Sequence, residues 1–338
     1  MATRHGDTLL FRRPPTVAAF GAVGGKKEGE GPLAARFDLL FEDNMQGQPT
    51  WEQAESLLQQ QCLALTLKKA QIPAEKLSLV LAGDLQNQCT ASSYTMRGVD
   101  APFAGLYGAC STMAEGLGLA ACLAGAGLVD RAAVLTSSHF CAAERQFRTP
   151  LEYGGKRTPT AQWTATAAGC CIVQPAGTGP YVRAVTFGRV QDYNVTDISN
   201  MGAAMAPAAA STLLHYFRDT GTGPENFDAV FTGDLGLVGS RLLGELLQAE
   251  GILLENHFDC GLMLYDRERQ QVQAGASGAG CSAAVLCGQI LPALQKGALR
   301  RVLFVATGAL MSTITSQQGQ SIPGIAHLVE LSAEEGSR

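Results

Sequence analysis

The sequence predicts an α/β protein made of two pseudo-symmetric halves, each a mixed β-sheet with helices on its faces. Three observations carry this reading. Strand-like and helix-like stretches alternate along the chain, an order that puts helices on the faces of mixed sheets. Segments of the first half return in the second half in the same order. The longest uncharged apolar run, Gly116 to Val129, is rich in Gly and Ala, side chains small enough for a helix to lie between two sheets.

The elements follow from hydrophobic period and from β-rich runs bounded by Gly, Pro and Asp. In the first half strands are expected near 15–21, 77–84, 103–108, 131–137, 168–174 and 181–190, and helices near 51–70 and 111–127. In the second half helices are expected near 205–219, 237–250 and 280–297, with strands near 228–233, 260–265, 300–307 and 325–331. The halves divide as 1–178 and 179–338. The segment 138–166 is too polar for core and too long for a simple connection. It carries Glu144, Arg145, Arg148, Glu152, Arg157 and the turn signal Gly154-Gly155, and reads as a pocket or partner loop.

The repeat is specific in its details. Val80-Leu81-Ala82-Gly83-Asp84-Leu85 returns as Val230-Phe231-Thr232-Gly233-Asp234-Leu235. Gly108-Ala109-Cys110-Ser111 is echoed by Gly278-Ala279-Gly280-Cys281-Ser282. Each of these opens an apolar helix that leads to a basic residue and a β-rich run, Arg131 to Thr136 or Arg301 to Thr307. Cys110 precedes Thr136 by 26 positions, and Cys281 precedes Thr307 by the same 26 (136 − 110 and 307 − 281).

Cys110 is the first candidate for chemistry. A thiol where a strand feeds a helix can be aimed at a pocket, and the free N–H groups of the helix would favour its thiolate. The competing reading is a buried cysteine at a tight turn, and for Cys281 that structural reading is the stronger one. The other cysteines among the ten form no Cys-x-x-Cys and lie at no metal-ligand spacing from histidine. They read as small buried hydrophobes of a reducing compartment. No metal is expected.

Composition excludes several classes. The chain has 46% hydrophobic and 16% charged residues, an ordinary globular balance. A net charge of -5 with no Lys/Arg cluster argues against nucleic acid. The longest uncharged apolar run has fourteen residues, Gly116 to Val129, short of the about 18 a membrane helix needs. Charged residues near the start predict no signal peptide. Gly24-Gly25-Lys26-Lys27 lacks the leading Gly and the Ser/Thr of a phosphate loop, and Gly116 to Ala121 fits a dinucleotide pattern only inside a helix.

Duplicated α/β halves with a cysteine heading the first buried helix resemble the thiolase fold of thiolases and ketoacyl-ACP synthases. A more specific resemblance is to the stage V sporulation protein AD family of spore-forming bacteria. It rests on Tyr107-Gly108-Ala109-Cys110-Ser111-Thr112, Thr136-Ser137-Ser138-His139, Ala143-Glu144-Arg145-Gln146-Phe147-Arg148 with Glu152-Tyr153-Gly154-Gly155, Met205 to Ala210, and Ile322-Pro323-Gly324-Ile325-Ala326-His327. The resemblance implies a layered αβαβα fold and binding of dipicolinic acid (pyridine-2,6-dicarboxylate) for uptake into the developing spore. It also implies membrane-embedded proteins of the same sporulation operon as partners, with this subunit peripheral at the spore inner membrane.

Departures from the condensing enzymes bear on catalysis. Those enzymes place a His after the repeated strand of the second half and an Asn or His before its buried helix. The donors stabilise an oxyanion or enolate, each worth a hundredfold or more. The corresponding stretches here are Thr232-Gly233-Asp234 and Gly278-Ala279-Gly280, without His or Asn. The expectation is therefore a non-enzymatic binder, with a Cys110 acyltransferase as the alternative.

The expected ligand-binding residues are Cys110, Ser137, Ser138, His139, Arg145 and Arg148. Hydroxyls and imidazole suit a carboxylate, and guanidinium forks suit a dicarboxylate. Against this stand a loop histidine satisfied by a carbonyl and arginines engaged in interface ion pairs. His327 is open between core and pocket lining, and His215 is expected to be structural. Calcium could accompany the ligand as a chelate, though no carboxylate cluster announces a calcium site. The run Ala132 to Thr136 is expected to pair across the two-fold axis of a homodimer.

Overall fold

Residues 2–148 and 150–336 are described by a computed structural model. In chain order the strands are β1 (Ala2–His5), β2 (Thr8–Phe11), β3 (Thr16–Gly24), β4 (Leu39–Leu40), β5 (Leu79–Gly83), β6 (Phe103–Gly105), β7 (Ala132–Ser138), β8 (Trp163–Thr164), β9 (Ala167–Gln174), β10 (Tyr181–Thr186), β11 (Ala229–Thr232), β12 (His257–Asp259), β13 (Ala276–Ser277), β14 (Arg301–Ala309) and β15 (Gly324–Ser332). The helices are α1 (Lys26–Gly29), α2 (Trp51–Ala70), α3 (Thr90–Met96), α4 (Thr112–Gly125), α5 (Phe140–Glu144), α6 (Met201–Thr220), α7 (Gly236–Ala249), α8 (Cys260–Leu264), α9 (Ala279–Val285), α10 (Leu291–Gln295) and α11 (Thr313–Gln317). A π-helical turn, Leu286–Ile290, joins α9 to α10 into one buried rod.

The duplication is visible in strand order. One block runs β6-β5-β7-β9-β3 and the other β12-β11-β14-β15-β10. In each, three parallel strands are followed by two antiparallel ones. The blocks meet through the single pair Tyr181↔Thr16. The N-terminal hairpin β1–β2, absent from the sequence reading, pairs with the second block through Leu10↔Ala184.

Strand periodicity builds the layers. On β7, Ala132 and Val134 face the middle of the molecule while Ala133 and Leu135 face α2. On β14, Val302, Phe304 and Ala306 face the middle while Leu303 and Val305 face α6. Strands apolar on both faces must be covered on both. The middle layer is α4 with the 279–295 rod, α2 covers one outer face, and α6 with α7 the other, giving αβαβα. Glycine makes the middle layer thin: a Cβ on Gly280 would come within 2.1 Å of the Ala167 carbonyl oxygen.

Two expectations fail. The segment 260–265 is helix α8, preceded by the short β12. Asp259 caps it, accepting the Leu262 N–H at 3.2 Å, and also receives the N–H groups of Leu235 and Gly236 at 2.9 Å each and the Thr232 hydroxyl at 2.7 Å. These donors converge on one carboxylate and stop the strand. The run Ala132 to Thr136 lies inside the sheet, hydrogen-bonded to β5 and β9, so it is not an edge; β6 and β12 end the sheet. The polar segment 138–166 starts within β7, forms α5, and is pinned to the other half by β8 pairing with β13.

Candidate functional site

The turn that carries Cys110 is held by its own neighbours. After β6 the chain enters a short 3-10 turn, Ala109–Ser111, that runs into α4. The Ser111 hydroxyl donates to the Gly108 carbonyl at 2.6 Å, the Thr112 hydroxyl donates to the Ala109 carbonyl at 2.7 Å, and Gly108 N–H donates back to Thr112 Oγ1 at 3.1 Å. Ala109 adopts φ +51°, a left-handed conformation that costs a residue with a Cβ about 1 kcal/mol or more. β14 runs close behind: a Cβ on Gly308 would come within 2.3 Å of the Gly108 carbonyl oxygen. The turn is thus clamped between its hydroxyls and a glycine of the other half.

Cys110 lines a pocket of about 90 Å³ between the halves. Apolar walls come from Leu85, Tyr107, Phe147, Ile198, Met201 and Met311; the polar lining includes Glu144, Arg148, Gln162, Thr164 and Ser277. The thiol does not behave as the helix-head argument expects. Burial raises its pKa well above the usual thiol range, and the facing Asp234 carboxylate adds to the rise. One turn of helix cannot offset a buried acid beside the sulfur.

Asp234 is fully buried behind the thiol. Its Oδ2 accepts Gly278 N–H at 2.8 Å and its Oδ1 accepts the Thr307 hydroxyl at 2.9 Å. Burial pushes its pKa up to about 7 against the pull of these hydrogen bonds. The two stretches singled out from the repeat, 232–234 and 278–280, therefore do converge on Cys110, as Asp234 and as the Gly278 backbone.

Glu144 anchors the wall. Its Oε1 accepts Thr164 N–H at 3.2 Å and the Thr164 hydroxyl at 3.0 Å, and its Oε2 accepts Arg157 Nη2 at 2.6 Å. Arg148 Nε lies 2.7 Å from the same Oε2 but out of line for a hydrogen bond, so this buried N–H has no aligned acceptor. Gln162 Nε2 donates to the carbonyls of Asp234 at 2.6 Å and Ala276 at 2.8 Å. That leaves Gln162 Oε1 buried without a donor.

Of the six expected ligand-binding residues, the pocket gathers Cys110 and Arg148. Ser137 donates to Glu55 Oε1 at 2.7 Å and accepts from Gln59 at 2.8 Å. Ser138 donates to the Ala165 carbonyl at 2.7 Å and accepts Gly280 N–H at 3.1 Å. His139 caps α5, its Nδ1 accepting Ala142 N–H at 3.4 Å while Nε2 donates to the Asn44 carbonyl at 2.7 Å. All three are buried with their polar atoms engaged away from the pocket. Arg145 pairs with Glu52 and lies over the Trp51 ring, with 48% of its side chain exposed. Glu144 and Gln162 went unassigned; Glu144 had a signal, an acid directly after the apolar pair Ala142-Ala143, whereas Gln162 had none. His327 donates nothing to the pocket: its Nδ1 accepts Gly188 N–H at 3.2 Å, and burial lowers its pKa to about 4.

Among solved structures, the fold is similar to 3-oxoacyl-[acyl-carrier-protein] synthase III from Aquifex aeolicus VF5, with a TM-score of 0.55 at 13% identity over 94% of this chain and 99% of that one. It is also similar to an OleA of Xanthomonas campestris, with a TM-score of 0.62 at 12% identity over 98% and 99%. These likenesses establish the thiolase-like fold. In sequence, the chain is 40% identical over 322 residues to stage V sporulation protein AD of Bacillus subtilis (strain 168), covering 95% of each. The family model for that protein matches residues 5–332. The chain therefore belongs to the stage V sporulation protein AD family, a family of sporulation proteins built on the thiolase-like fold.

Proposed function

We propose that the Cys110 pocket binds dipicolinic acid without turning it over, as a step in its uptake into the developing spore. The observation that carries this reading is the pair of groups against the thiol. Asp234 and the Gly278 backbone lie beside the thiol, in the two stretches where the resemblance to the condensing enzymes leads one to expect a His and an Asn. A carboxylate there opposes a developing enolate instead of stabilising it. Arg148 supplies what a carboxylate ligand needs: a guanidinium in the wall whose Nε has no aligned partner. A rigid planar dianion loses little conformational entropy on entering such a pocket. Titration calorimetry with dipicolinate and with phthalate, with and without calcium, tests the assignment: saturable heat with dipicolinate is expected, and its absence in both conditions overturns the reading.

One observation favours a second reading, a Cys110 acyltransferase: the strained Ala109 turn ahead of the cysteine is the kind of geometry that aims a nucleophile. Incubation with acyl-CoA thioesters and mass spectrometry separates the two. A stable Cys110 adduct with turnover supports the enzyme, and no adduct supports the binder.

The same reading places the protein at the spore inner membrane through membrane-embedded partners. Among the described residues no helix is long and apolar enough to cross a membrane. Purified without partners, the protein is expected to stay in the supernatant when liposomes are sedimented; co-sedimentation would contradict docking through partners.

A further inference from the structure

The pocket sets buried acceptors beside its hydroxyl and guanidinium donors. Its wall holds the Glu144 carboxylate and the donorless Gln162 Oε1, and behind Cys110 lies Asp234. Against these, Arg157 is already spent on Glu144 and on the Gln162 carbonyl at 2.5 Å, leaving Arg148 as the cation with an unaligned N–H. We infer that the site binds its anionic ligand together with one proton, held on Asp234 beneath the Cys110 thiol. The inference rests on the dicarboxylate reading above.

The geometry around Asp234 explains why the proton goes there. Its hydrogen-bond partners are a backbone N–H and a Thr hydroxyl, and the group beside it is the Cys110 thiol, none cationic. The groups that face it from neighbouring elements are Cys110 at the head of α4, Asp259 and Cys260 at the head of α8, and Cys281 on α9. Asp259 is another buried acid, and the three thiols are held protonated by burial. Nothing in this shell neutralises Asp234, so a dianion arriving one side chain away raises its proton affinity further. Gln162 joins the two sites mechanically, since it lines the pocket and holds the Asp234 carbonyl.

The coupling has a defined sign. With the free carboxyl near 7, Asp234 is already protonated below that pH and binding takes up little. Above it, each ligand bound draws a proton from solvent onto the carboxylate, and affinity falls by up to about tenfold per pH unit. Dipicolinate is itself fully ionised in this range and contributes no proton.

The test is calorimetry of dipicolinate binding at pH 6 and pH 8, each in two buffers of different ionisation enthalpy. Expected is an uptake approaching one proton per ligand at pH 8, a much smaller uptake at pH 6, and weaker binding at pH 8. Asp234→Asn, checked for folding by circular dichroism, is expected to bind with no proton uptake and with the same affinity at both pH values. Heat without proton uptake in the wild-type protein at pH 8 overturns the inference while leaving the ligand assignment intact. That measurement does not depend on the variant. Unchanged uptake in a folded Asp234→Asn protein overturns the assignment to Asp234. Absence of heat at both pH values removes the ligand assignment, and the coupling with it.

Discussion

Cys110 and Arg148 were legible because their signals are local: a helix-head turn and a basic residue in an otherwise unexplained polar loop. Ser137, Ser138 and His139 looked equally suitable, yet their partners come from far away in sequence, Ser137 from Glu55 82 positions upstream and His139 from Asn44 95 positions upstream. No short-range pattern records such contacts. In a pocket where Cys110 packs and hydrogen-bonds, bulk matters more than nucleophilicity. Cys110→Ser is expected to keep most dipicolinate binding, since Ser is similar in size and a better donor. Cys110→Trp is expected to abolish binding by filling the pocket, with the fold intact by circular dichroism. Arg148→Ala is expected to weaken binding by about 1.5–3 kcal/mol if its guanidinium meets a ligand carboxylate. Calorimetry on the three variants decides: undiminished binding by Cys110→Trp would put the site elsewhere.

Elements were legible where both faces of a strand are apolar or where a long helix shows its period, as in α6 and α7. They were misread where one capping side chain decides, as Asp259 does for α8. The site depends on element contacts more than on any single helix. β14 touches the Cys110 turn through Gly308, so Gly308→Ala must push the turn away; the expected outcome is about 1–3 kcal/mol lost in thermal or denaturant unfolding and weakened ligand binding. A second buried network ties α2 to the loop after β5. Glu55 accepts from Ser137 and from Gln86 Nε2 at 2.8 Å, and Asp84 accepts Gln86 N–H at 2.9 Å and the Ser92 hydroxyl at 2.6 Å. Burial, with the Asp84 charge second, raises Glu55 to about 8. A raised acid stabilises the fold below its unfolded pKa, and that stability is lost as pH climbs to the folded value. Between pH 6.5 and 8.5 wild-type stability is expected to fall by roughly 2 kcal/mol on this account. Asp234, raised to about 7, adds to the decline in this window, whereas the histidines lowered by burial oppose it near pH 6.5, where their unfolded forms are still half protonated. Glu55→Gln is expected to flatten the decline in urea titrations; an identical slope in the variant would rule Glu55 out as its source.

At the scale of the whole molecule, duplication was readable because repeated motifs kept their order, but the free edge was not. Sequence pointed to Ala132–Thr136, the more apolar and β-capable run, and burial explains that character: β7 is interior, covered on both faces. The expected homodimer is sought at β6, one of the two strands that end the sheet. Around this edge stand three exposed aromatic side chains, Tyr94 at 51%, Phe103 at 36% and Tyr107 at 50%. An open three-residue edge ringed by aromatics invites pairing with another strand, and a two-fold axis closes that pairing without leaving a new edge at the junction. Tyr107 also belongs to the pocket wall and donates to the Met311 carbonyl at 3.2 Å, so an interface on β6 would press on the site from one side. A dimer mass is therefore expected by light scattering at micromolar concentration. Phe103→Glu should shift it to monomer and weaken dipicolinate binding in parallel, because Tyr107 then loses its neighbour across the interface. A wild-type monomer would contradict the dimer, a dimer undisturbed by Phe103→Glu would move the interface off β6, and a monomeric variant with full affinity would separate the interface from the pocket.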